Sequence, residues 1–191
     1  MVVSKTPLQT LQILLVMSAI SVLAGCTGED RLIICPRVAV LYDASRLTDF
    51  VLGVSKTTEN VAYDAEIYNP IIKCKYDEDV VISDIEFNLD VMRGPQGISG
   101  KREFLYFVAV TELNQEVLEK KIYTFRVNFD DDERRVVAKQ EAKNIKINFQ
   151  RLGRGDLYEI LVGWDLTPEE LAYNRNTSPF DRPNFRRGRA P

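Results

Sequence analysis

Apolar and polar residues alternate with a period of two over most of the chain between Arg37 and Trp164. The cleanest stretch places Val81, Ile85, Phe87, Leu89 and Val91 on one side and Asp84, Glu86, Asn88 and Asp90 on the other. Successive side chains of a strand point to opposite faces, so this pattern predicts a sheet with one dry face and one wet face. The same alternation runs through Val61, Tyr63, Ala65 and Ile67, and resumes at Ile72, Cys74 and Tyr76 after an expected break at Asn69-Pro70. It returns at Tyr123, Phe125, Val127 and Phe129, at Ile145, Ile147 and Phe149, and at Tyr158, Ile160, Val162 and Trp164. Val38 to Leu41 and Val136-Val137 read as short strands, and Phe104 to Val110, apolar on both faces, as a central one. Turn-rich pieces separate them: Arg93 to Gly97 with Gly100, a hairpin loop at Leu113 to Glu116, an acidic hairpin tip at Asp130 to Glu133, and Arg151 to Asp156. Eight or nine short strands with no helical period between them predict a mainly β fold, an antiparallel two-sheet β-sandwich of Ig-like or fibronectin-like type. A small β-barrel is the alternative. One short C-terminal helix follows. Thr167 is its N-cap, Pro168 its first residue and Glu170 the reciprocal partner of a capping box, with Leu166 placed to staple against Leu171.

The N-terminus follows another rule. Lys5 is the sole charge before Glu29, and Leu11 to Leu23 is nearly all apolar. A weakly positive start, a short apolar stretch and a small-residue end have the layout of an export signal. A membrane-spanning helix needs about 20 apolar residues, and this stretch is shorter and interrupted by Ser18 and Ser21. Leu23-Ala24-Gly25-Cys26 resembles the lipobox of bacterial lipoproteins. That resemblance implies cleavage before Cys26 and attachment of diacylglycerol, with palmitate-type chains, to its sulfur. One acyl chain anchors only marginally, so two or three are needed for stable attachment. Thr27 rather than Asp after the Cys implies, by the same analogy, the outer membrane.

With Cys26 assigned to lipid, Cys35 and Cys74 remain. An even pair in an exported chain reads as a disulfide, the alternative being two buried free thiols. A bridge closing a loop of this length contributes roughly 4 kcal/mol, mostly by restricting the unfolded chain. No C-x-x-C spacing supports a redox role.

Composition narrows the chemistry. The chain of 191 residues has no His, which removes Ser-His-Asp triads, Cys-His pairs and His-ligated zinc. Asp130 to Glu133 lacks the ligand spacing of a calcium loop, and the Gly-rich turn at Arg93 is followed by neither Lys-Ser/Thr nor a helix. Asp84, Glu86 and Asp90 are explained by a solvated strand face rather than by a glycosidase pair. Trp164 shares the core face of its strand. No enzymatic activity, cofactor or metal is expected, and a net charge of -3 does not favour nucleic acid.

That small charge conceals an uneven distribution. Residues 26–174 hold 19 basic and 27 acidic groups, while 175–191 hold five Arg and one Asp. The expected organisation is a signal peptide over 1–25, a lipidated linker over 26–34, a sandwich domain over 35–174 and a flexible basic tail over 175–191. Arg182, Arg186, Arg187 and Arg189 are candidate contacts for an anionic partner, because guanidinium forks suit carboxylate and phosphate. The strings Cys35-Pro36-Arg37-Val38-Ala39-Val40-Leu41, Asp43-Ala44-Ser45-Arg46-Leu47-Thr48 and Leu166 to Arg175 resemble a group of alphaproteobacterial outer-membrane lipoproteins. The resemblance implies a location and no activity. The expected role is a non-enzymatic, lipid-anchored interaction or structural protein on the periplasmic face of the outer membrane, offering a strand edge or its end loops to an envelope protein. The alternative is a module binding cell-wall glycan or a small ligand, with Tyr63, Tyr68, Tyr76 and Tyr106 as candidates for an aromatic platform.

Overall fold

The structure, a computed structural model, describes residues 34–77, 79–112, 116–148 and 154–177. Eight strands form two four-stranded sheets. They are β1 (Arg37–Val40), β2 (Arg46–Phe50), β3 (Val61–Asp77), β4 (Val80–Arg93), β5 (Gly100–Glu112), β6 (Val117–Phe129), β7 (Arg135–Asn148) and β8 (Tyr158–Trp164), followed by helix α1 (Pro168–Asn176). The first sheet has the order β1-β8-β5-β6 and the second β2-β3-β4-β7. The expected sandwich is therefore present, with one departure from antiparallel order: β1 runs parallel to β8.

The alternating positions meet between the sheets. Val81, Ile85, Phe87, Leu89 and Val91 of β4 face Phe104, Tyr106, Val108 and Val110 of β5 and Phe125, Val127 and Phe129 of β6 in one core. Each fully buried aliphatic or aromatic side chain there contributes about 1.5–3 kcal/mol. Trp164 lies in this core at 1% exposure, edge-on to Phe104, as the spacing of β8 predicts.

Three expectations about segmentation are corrected. The chain does not break at Asn69-Pro70. β3 passes through it on an irregularity between Tyr68 and Ile71, with Asn69 at a φ of 55°, a conformation Asn tolerates better than most residues. Val136 and Ile145 likewise belong to one strand. β7 bulges at Asn144 (φ 57°), whose backbone N–H donates to Asp84 Oδ1 at 2.8 Å. Asp130 to Glu133 is not a hairpin tip, because β6 and β7 lie in different sheets and this turn carries the chain between them. The sequence pattern also hides β2, since its Thr48 is buried against a carboxylate rather than against apolar groups.

Cys35 and Cys74 are bridged, with Cα atoms 5.7 Å apart. Cys35 lies two residues before the start of β1 and Cys74 lies on β3, so the disulfide ties the first sheet to the second. In α1 the Thr167 side chain accepts from Glu170 N–H and the Glu170 carboxylate accepts from Thr167 N–H, as the capping box predicts. Leu166 packs with Ala44, Phe107 and Ala109 on the outer face of the first sheet.

Candidate interaction surfaces

The two ends of β3 organise the surface. At its C-terminal end, the Tyr76 hydroxyl donates to the carbonyl of Ile34 at 2.5 Å, and burial raises the Tyr76 pKa. Gly155 closes over the same carbonyl. A Cβ there would sit 1.9 Å from Ile34 O, so no larger residue fits without moving the backbone. Together with the disulfide, these contacts fix where the chain enters the sandwich. Cys26 lies eight residues before Ile34, outside the described residues.

The N-terminal end of β3 pairs with the end of β2, Val61 opposite Phe50. About 35 Å of strand separates Tyr63 from Cys74 at the usual rise per residue. Here the segment after β2 and the first half of α1 enclose an open groove of about 510 Å³. Its apolar lining includes Phe50, Val51, Leu52, Val54 and Tyr173, and Leu52 is 95% exposed. Phe50 and Tyr173 meet edge to face, ring centroids 5.1 Å apart. Asp49, Glu169 and Glu170 supply three carboxylates against the single Lys56, which sits over the Tyr173 ring. Burial, followed by the Glu170 charge, raises the Asp49 pKa. Helix α1 is held on this flank by Asn174, whose amide donates to Asp43 O at 2.8 Å and Arg46 O at 2.6 Å.

A second surface is the side of β6 away from β5, with which no other strand pairs among the described residues. Residues Val117 to Ile122 are exposed on both faces of the strand. Val117, Leu118 and Ile122 are 57%, 49% and 54% exposed. Charges break up the edge: Lys121 pairs with Glu119 at 2.8 Å, and Lys120 reaches Asp165 at 2.8 Å while lying over Phe107. Edge lysines of this kind discourage indiscriminate pairing.

The remaining candidates are dispersed. Tyr63 and Tyr106 are buried, with Tyr63 stacked on Phe129 and Tyr106 on Tyr123. Tyr76 holds Ile34, and Tyr68 lies on β3. The four therefore form no aromatic platform. Asp84 serves the Asn144 bulge and Glu86 pairs with Lys139 and Lys73. Asp90 is not a solvated face residue. It is 1% exposed and accepts from Arg135 Nε at 3.1 Å and Nη2 at 2.7 Å. Arg175 belongs to α1 and pairs with Asp43 at 2.8 Å, so the helix extends two residues past the expected domain boundary. Arg182, Arg186, Arg187 and Arg189 lie outside the described residues. Among the described residues, no helix is long and apolar enough to cross a membrane, and no group of three or more His, Cys, Asp or Glu side chains is placed to hold a metal ion. The sequence pattern missed the groove, whose lining residues carry no periodic signal. The β6 edge was expected only as a general type of surface.

Comparison with known protein families, curated proteins and solved structures found no match to this chain.

Proposed function

We propose that this is a non-enzymatic interaction protein, anchored by lipid at Cys26 to the periplasmic face of the outer membrane, that binds an envelope protein through the β6 edge. The observation that carries the reading is that edge itself. Val117 to Ile122 pair with Phe107 to Thr111 of β5 on one side, no further strand pairs with them among the described residues, and three of their aliphatic side chains are exposed. An extended segment of a partner adds to such an edge through main-chain hydrogen bonds, and alternate side chains give specificity. The Cys35–Cys74 bridge supports export, because structural disulfides persist in oxidising compartments. The lipobox-like Leu23 to Cys26 supports the anchor. The eight peptide links from Cys26 to Ile34 span at most about 30 Å, which limits how far lipid at Cys26 would let the body stand from a membrane.

A photo-reactive amino acid at Ile122, in intact cells, tests the reading. One discrete adduct with an envelope protein is expected, and Val117→Asp combined with Leu118→Asp, both at exposed sites, should abolish it by placing charge against the incoming strand. Adducts equal to those from a probe at exposed Ile98 would contradict an interaction specific to β6.

A further inference from the structure

The groove beside α1 has an unmet charge. None of the ion pairs among the described residues uses Asp49, Glu169 or Glu170. Lys56 is the one cation in the lining. The lining also holds apolar surface, with the aromatic rings of Phe50 and Tyr173 in edge contact and Leu52 fully exposed. The shape and chemistry call for a chain segment that combines several cations with an aromatic anchor.

Such a segment is covalently attached one turn beyond the groove. Tyr173 lines the groove and α1 ends at Asn176. Residues 178–191 carry Arg182, Arg186, Arg187 and Arg189 against Asp181, with Phe180 and Phe185 as aromatics. These 14 residues span up to about 45 Å, whereas the helix they must pass is about 13 Å long. Reach is therefore no obstacle. Arg forks match carboxylates geometrically as well as by charge.

We propose that the groove formed by β2, residues 51–56 and α1 is a binding site for the chain's own C-terminal segment, residues 178–191. Phe180 or Phe185 packs on the apolar lining, and the arginines meet Asp49, Glu169 and Glu170. Occupation relieves the repulsion between Asp49 and Glu170 and covers Leu52. The inference does not depend on the lipid anchor or on the β6 contact.

The test places a benzophenone amino acid at Phe180, and separately at Phe185, in the otherwise complete chain, and maps the light-induced adducts by mass spectrometry. Adducts to residues 51–54 or Tyr173 of the same molecule are expected, with a yield independent of protein concentration. Leu52→Ser, at an exposed site that leaves folding intact, should lower that yield about tenfold by removing apolar contact. Glu169→Lys should lower it about fivefold by reversing an exposed charge. Adducts spread over the body and indifferent to both variants would overturn the proposal. So would adducts only between copies, rising with concentration, or adducts only to another envelope protein.

Discussion

Arg46 on β2 grips Asp64 on β3 with Nε at 2.9 Å and Nη2 at 2.8 Å, and the carboxylate is completely buried. Thr48 donates a further hydrogen bond to it at 3.2 Å. This pair holds β2 onto its sheet, and β2 in turn forms one wall of the groove. Removing one partner strands the other charge away from water. Arg46→Met should therefore cost about 3–5 kcal/mol in urea denaturation. A loss below about 1 kcal/mol would mean that the pair contributes as little as a surface ion pair.

The disulfide should matter most to the unfolded chain. Cys35→Ser combined with Cys74→Ser is expected to lower stability by about 4 kcal/mol, given the separation of 39 residues. Reduction of the unmodified protein should give the same midpoint shift.

The capping box makes a smaller, local prediction. Thr167→Ala should cost about 1 kcal/mol and raise amide exchange in the first turn of α1. The strands should keep their protection.

Asp49 sets a pH dependence of definite sign. Burial and Glu170 raise its folded-state pKa, so the folded protein binds the proton more tightly than the unfolded one. Its charged form opposes folding, and that cost disappears as pH falls through the raised pKa. Asp156 acts in the opposite sense. Its hydrogen bond and charge contact with Arg154 lower its pKa, so the stability it contributes is present above the unfolded value and lost as pH falls through the folded one. Asp49→Asn isolates the first effect. Its stability relative to the unmodified protein should rise from about pH 3 to about pH 7, measured by denaturant titration at each pH.

The sandwich could be read in advance because one face of each long strand is dry. Phe87, Leu89 and Val91, or Ile160, Val162 and Trp164, state their periodicity without help from the rest of the chain. Strand bounds were less legible. Asn69-Pro70 looks like a stop signal, yet flanking pairs with β4 carry the strand through it on a bulge. β2 was hidden because its burial rests on Arg46 and Asp64, and only tertiary structure reveals that two distant charges meet. The same reason kept the groove out of sight. Asp49 and Leu52 are far from Tyr173 in sequence and share no spacing rule with it. Cys35 and Cys74 were legible as a pair by counting, but that they bridge two sheets follows from topology alone.

The proposed lipid at Cys26 would decide which membrane surface and which partners the sandwich meets. The most direct measurement is the intact mass and N-terminal sequence of the protein extracted from the envelope. The predicted result is a chain beginning at Cys26 with the added mass of diacylglycerol and an amide-linked acyl chain, and loss of this species on Cys26→Ala. A membrane-bound chain that retains Met1, or one cleaved elsewhere with no added lipid, would contradict it.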